Sequence, residues 1–187
     1  MCESLSFAHI CPSCQDVFLS PSIYKRKLKN NIEVISFYKY KDIKKLLHTK
    51  HTDLGYYIYN ILAQNSLKIF AQELQYPYKS ASIPIDDKIK SGYSHTAILN
   101  KYLKTTYIKP YFAKLRAKND ISYSGKSKEF RMLNPREFIF KDFIESEVIL
   151  VDDIITTGST LTQASEVMKK NNKKVLFCLT LADASVN

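Results

Sequence analysis

The chain has 187 residues, 45% apolar and 25% charged, enough to bury a core in one substantial domain with a small appendage and too apolar for disorder. Lys+Arg 28 against Asp+Glu 18 gives a formal net charge of +10, which suits a polyanionic or phosphorylated partner, although a lysine-rich solubilising surface produces the same surplus. No apolar run approaches the roughly 20 residues of a membrane helix, and Met1 to Cys14 lacks the basic-then-apolar order of a secretory signal, so a soluble, cytoplasmic protein is expected.

Three of the four cysteines crowd the N-terminus. Cys11-Pro12-Ser13-Cys14 is half of a zinc knuckle, with Cys2 as a third candidate ligand and His9 as an awkwardly spaced fourth. A reduced, metal-free knuckle is the alternative. Cys178 lies in a distant apolar stretch and is expected in the core. The chain divides on this reading into a cysteine knuckle (1–20), a basic strand and helix region (21–75) and a main domain (76–187).

Residues 22–50 are rich in lysine, with Arg26 among them. The stretch from Val34 to Tyr40 reads as a strand buried in part on both faces, and Ile43, Leu46 and Leu47 follow at helical spacing. Asp53 is the candidate N-cap of a long helix reaching Leu74. Tyr24, Phe37, Tyr38, Tyr40, Tyr56, Tyr57 and Tyr59 in this basic half fit stacking on single-stranded DNA, although several must belong to the core instead. His48, His51 and His95 read as surface or polar-network residues.

In the second half, Ala81 to Ile85 predicts a short strand ending at Asp86-Asp87-Lys88, and a helix is expected from about Tyr93 to Leu103. Tyr107 to Leu115 reads as extended, Lys118 to Asn134 as a long mobile loop, and Glu137 to Phe140 as a strand. A buried strand at Val148 to Val151, a helix from about Thr160 to Lys170 and a last strand at Lys174 to Leu181 complete the pattern. Strands alternating with helices predict an α/β domain with a mainly parallel sheet.

The segment from Val148 to Thr160 carries the chemistry. Open α/β sheets bind ligands at the carboxyl ends of their strands, and Asp152 and Asp153 follow the apolar run there. Two adjacent carboxylates favour hydroxyl donors or a cation nearby; a ribose diol and Mg2+ supply both. Thr156, Thr157, Gly158, Ser159 and Thr160 form a hydroxyl-rich turn opening a helix whose N–H groups suit a phosphate. A strand, paired acids, Thr-Thr-Gly-Ser-Thr and an amphipathic helix in unbroken order point to one ligand, acidic groups for its sugar and a cradle for its phosphate.

This segment resembles the signature of type I phosphoribosyltransferases, which bind phosphoribosyl pyrophosphate (PRPP) with Mg2+. The resemblance implies that Asp152 and Asp153 take the ribose and that Thr156 to Thr160 take the 5-phosphate. By the same likeness, Asp86, Asp87 and Lys88 occupy the place of a pyrophosphate loop, while an exposed hairpin corner is an equal reading of those residues. Arg116, Lys126 and Arg131 are candidate contacts from a covering loop, or solvated charges. No C-terminal hood is expected after the last strand.

Tyr38, Tyr40, Ile43, Leu46, Leu47 and Lys50, together with Arg131-Met132-Leu133-Asn134 and Phe138, narrow the resemblance to the ComF competence family. Ile85 to Ser91 and Tyr123 to Ser127 are similar to the ComFC proteins of Campylobacter and Helicobacter relatives. Ser91-Gly92-Tyr93-Ser94-His95 departs from the family's Arg-Gly-Phe-Asn-Gln. The resemblance implies a PRPP-binding protein that handles single-stranded DNA in natural transformation, with other transformation proteins as candidate partners. A metabolic purine or pyrimidine phosphoribosyltransferase and a non-catalytic PRPP sensor are the alternatives.

Overall fold

In the computed structural model, residues 6–86, 92–118 and 137–186 are described. Cys2, Asp87, Lys88, Lys126 and Arg131, and the loop expected at 118–134 apart from Lys118, lie outside them. In chain order the elements are α1 (Pro12–Phe18), β1 (Tyr24–Lys27), β2 (Glu33–Lys39), α2 (Tyr40–Leu47), α3 (Asp53–Ala63), a π-helical turn (Gln64–Lys68), α4 (Ile69–Glu73), β3 (Ser80–Pro84), α5 (His95–Lys101), β4 (Ile108–Pro110), β5 (Leu115–Ala117), β6 (Phe138–Phe140), β7 (Glu147–Ile155), α6 (Ser159–Lys170) and β8 (Lys174–Asp183).

Six strands form one sheet in the order β1-β2-β8-β7-β3-β4. β2, β8, β7, β3 and β4 run parallel, and β1 pairs antiparallel with β2 at the edge. β5 and β6 make a separate antiparallel pair. The sheet is thus mixed but mainly parallel with helices on both faces, as the alternating pattern predicts. β2 pairs with β8, which sets the basic N-terminal strand in the same sheet as β3 and β7.

The side-chain period of a strand sorts β7 onto two cores. Val148 and Leu150 pack with Leu161, Ala164 and Met168 of α6. Ile149 and Val151 pack with Ile43, Leu47, Ile58, Leu62 and Leu99 from α2, α3 and α5. Central parallel strands buried on both faces are apolar throughout, and Val148 to Val151 are all fully buried.

Local capping signals set the starts of two helices. Ser94 caps α5 by accepting from the Ala97 N–H, the expected role of a serine before a helix. The long helix expected from Asp53 is interrupted by the π turn, and its cap is Thr52, which accepts from the Gly55 N–H, with Asp53 as the first helical residue. Threonine serves because its side-chain oxygen reaches back to that N–H. Among the described residues, no helix is long and apolar enough to cross a membrane.

Candidate functional site

All five parallel strands carry their C-terminal ends to one edge of the sheet, and the segments that leave β2, β3, β7 and β8 meet there. β7 runs past Val151 to Ile155, so the acids lie inside the strand rather than after it. Adjacent strand residues start toward opposite sides, but the two acid side chains stay within hydrogen-bonding reach of each other. Asp152 is half-buried and lines a notch with Thr156, Thr157, Gly158, Ser159 and Thr160. Asp153 is buried on the side of α2, α3 and α5. Its backbone N–H donates to Asp152 Oδ1 at 2.8 Å.

The notch is small and open to solvent on one side. Gly158 has φ 79°, and a Cβ there would sit 2.7 Å from Leu28 Cδ2. The φ favours glycine, and the close approach would need the end of the Leu28 side chain to shift. Thr157 Oγ1 and Ser159 Oγ lie 3.1 Å apart. The first bond within α6 runs from the Thr162 N–H to the Gly158 carbonyl, so the N–H groups of Thr160 and Leu161 precede the helix's internal ladder. Such N–H groups, at the positive end of a 12-residue helix, suit an anion.

β1 buttresses this turn. Arg26 donates to the Thr156 carbonyl at 2.6 Å and to Ser185 Oγ at 3.0 Å. It also pairs with the buried Asp183 at 3.1 Å. Burial lowers the Arg26 pKa, partly offset by Asp183.

On the opposite face, two hydrogen-bond donors and a histidine ring converge on one atom. Lys50 Nζ stands 3.1 Å from Asp153 Oδ2, the Tyr59 hydroxyl 3.3 Å and His95 Nε2 3.5 Å. Burial by itself raises the Asp153 carboxyl; the charges of Lys50 and His95 and hydrogen bonds from Lys50 and the Asp152 side overcome it, and the acid stays well below the ordinary carboxylate range. Tyr59 is shifted upward by burial and by the Asp153 charge. The His95 ring lies 5.4 Å from Tyr59 and 5.5 Å from His51.

Asp86 stands at the end of β3, beside β7, but its carboxylate turns inward. It accepts from Ser94 Oγ at 2.7 Å and Thr96 Oγ1 at 3.2 Å at the start of α5, and burial raises its pKa against those bonds. Arg116 is exposed on β5. Cys14 is buried beside Ile10 and Leu19, and Cys11 is half-buried at the head of α1. No group of three or more potential metal ligands forms among the described residues, so they hold two of the three expected zinc ligands. Of the candidate stacking aromatics, Tyr56 and Tyr57 are exposed, whereas Phe37, Tyr38 and Tyr59 are core.

The structure therefore brings Asp152 together with Thr156 to Thr160 and places Asp153 across the strand from them. Arg26, Tyr59, His95 and Lys50 were not legible as site residues: their partners lie 94 to 130 positions away for Tyr59, Lys50 and Arg26, and no local pattern encodes such a meeting.

A family model described as PRTase-CE matches residues 22–185. No curated protein matches the chain. Solved structures to which it is similar include a hypoxanthine phosphoribosyltransferase from Staphylococcus aureus, with 19% identity and a TM-score of 0.45 over 66% of this chain and 64% of that one. An orotate phosphoribosyltransferase from Aeropyrum pernix matches with 16% identity and a TM-score of 0.43 over 92% of this chain and 81% of that one. The chain thus spans less than two thirds of the Staphylococcus protein's length.

Proposed function

Because the chain belongs to the PRTase-CE family, a phosphoribosyltransferase-type domain, we propose that it binds PRPP at the carboxyl edge of its sheet and transfers the 5-phosphoribosyl group to an acceptor. The observation that carries this reading is the shared notch of Asp152 and Thr156 to Thr160 at the start of α6. The 5-phosphate takes the hydroxyls and the N–H groups of Thr160 and Leu161; the ribose diol takes the two acids. Asp87 and Lys88, with backbone around Asp86, are assigned to the pyrophosphate, and Lys126 and Arg131 to the covering loop, whereas Arg116, expected in that loop, lies on β5.

Transfer breaks the bond between C1 and the pyrophosphate oxygen and forms one between C1 and the acceptor, whose proton is lost. Positioning and charge stabilisation supply most of such a rate enhancement. The carboxylate of Asp152 beside hydroxyl oxygens is the hard, all-oxygen donor set that Mg2+ accepts together with substrate phosphates. When bound, Mg2+ supplies charge neutralisation of the leaving pyrophosphate.

The ComF-like segments extend the reading to single-stranded DNA in transformation. The net charge of +10 and exposed Tyr56, with Lys101 Nζ 6.0 Å from its ring, support a polyanionic partner. A zinc on Cys11, Cys14 and Cys2 remains part of this proposal, and metal analysis of Cys11→Ser/Cys14→Ser tests it.

The test is a calorimetric titration with Mg-PRPP, followed by pyrophosphate release across free bases and oligonucleotides. Saturable PRPP binding lost in Asp152→Asn is expected. Unchanged binding in that variant overturns the site assignment. Turnover with one free base and none with oligonucleotides removes the DNA role while keeping the fold's chemistry.

A further inference from the structure

We propose that Lys50, Tyr59 and His95 are positioning residues that clamp Asp153 through Oδ2 and thereby aim its second oxygen, Oδ1, at the sugar hydroxyls of the bound pentose phosphate. This rests on the PRPP reading above and deepens it, because it explains how an acid on the far face of β7 shares a ligand with the notch.

Three groups from three separate segments meet at a single oxygen: Lys50 from the turn between α2 and α3 and Tyr59 from α3 by hydrogen bonds, and the His95 ring from α5 at 3.5 Å. A carboxylate has two oxygens and about four acceptor sites. Both hydrogen bonds go to Oδ2, so the clamp fixes the side chain through one oxygen, with the Asp152 side chain the remaining polar neighbour of the carboxylate. The clamp itself is rigidly built. Tyr59 is fully buried and His95 is 5% exposed. The Lys50 N–H donates to the Leu47 carbonyl at 3.2 Å and Thr52 Oγ1 to the Thr49 carbonyl at 2.7 Å, which closes the turn that carries the lysine. The Tyr59 hydroxyl, with one proton to donate, stands 3.3 Å from both the Leu47 carbonyl and Asp153 Oδ2. Groups locked by packing and hydrogen bonds hold a first-contact residue to the tolerance a binding site requires.

The arrangement gives the two neighbouring acids different duties. Asp152 stands with the hydroxyl turn, on the side of the phosphate. Asp153 reaches the pentose from the side of the helices α3 and α5, and a sugar seated over the strand end touches both.

The experiment measures affinity for two ligands, Mg-PRPP and ribose 5-phosphate, in wild type, Lys50→Met, Lys50→Arg, His95→Asn, Asp153→Asn and Lys50→Met/Asp153→Asn, with circular dichroism to verify folding. Loss of a charge-assisted hydrogen bond changes affinity by about tenfold or more. The clamp predicts that Lys50→Met weakens both ligands by that same factor, that Lys50→Arg restores most of it, and that Lys50→Met costs nothing further once Asp153 is Asn. A loss confined to PRPP makes Lys50 a direct pyrophosphate contact and overturns the clamp. Full additivity in the double variant does so as well. If Lys50→Met does not fold, His95→Asn carries the same comparison. Asp153→Asn that binds both ligands normally defeats instead the assignment of Asp153 to the sugar, so the two failures are distinguishable.

Discussion

Arg26 and Thr156 stand 130 positions apart, and the guanidinium of the first donates to the carbonyl of the second at 2.6 Å. The edge strand thereby props the turn that opens α6, and its charge is anchored in turn by Asp183. Arg26→Leu leaves Asp183 buried without its cation, which costs about 3 kcal/mol. Denaturant unfolding checks that loss, and PRPP affinity should fall with it. Arg26→Leu/Asp183→Asn should recover most of the stability and little of the affinity, since the bond to Thr156 is still missing. Full recovery of affinity would separate Arg26 from the site.

Gly158 meets two constraints at once. Alanine there pays for a left-handed backbone, about 1 kcal/mol, and drives its methyl against Leu28. Gly158→Ala should therefore weaken PRPP binding severalfold while lowering the melting temperature by a few degrees. Leu28→Ala in the same chain removes the clash but not the φ, so it should restore binding only in part. Calorimetric titration and thermal melts read both.

The depressed Asp153 pKa has a signed consequence for stability. An acid whose folded pKa lies below its unfolded value stabilises the fold above the unfolded value, about pH 4, and that contribution is lost as pH falls through the folded one. Wild type should accordingly lose this part of its stability on acidification below about pH 4. In Lys50→Met the burial that Lys50 offset is left to act, the carboxyl rises, and the sign reverses. The destabilisation caused by Lys50→Met should be largest near pH 7 and shrink as pH falls toward 4. Asp86, whose pKa burial already raises, contributes with that opposite sign in both proteins and cancels in the difference. Urea unfolding at a series of pH values provides the measurement.

The part of the site written in consecutive residues was readable from the sequence. A β-branched run, two acids, a Thr-Thr-Gly turn and an apolar helix face make their own local structure, and β7, the turn and α6 form as that order demands. The strand's length was not readable, because Ile154 and Ile155 look like the start of a loop while β8 pairs with β7 as far as Ile155. That difference shapes the site: strand geometry carried through Asp152 and Asp153 sets the first beside the turn of Thr156 to Thr160 and the second against Lys50, Tyr59 and His95. The edge strand β1 was hidden because its exposed Lys25 and Lys27 read as solvated charge, and the helix from Asp53 showed no signal for the π turn. Lys50 and His95 became site residues only through the packing of α2, α3 and α5 over one end of β7.

The most direct measurement is a crystal structure with Mg-PRPP. The 5-phosphate should sit on the hydroxyls and N–H groups of Thr157 to Leu161, with the ribose hydroxyls between Asp152 and Asp153 Oδ1 and Lys50 still on Oδ2. A phosphate bound instead at the lysine-lined groove of Lys169, Lys173 and Lys174, with the turn at Gly158 vacant, would contradict the account.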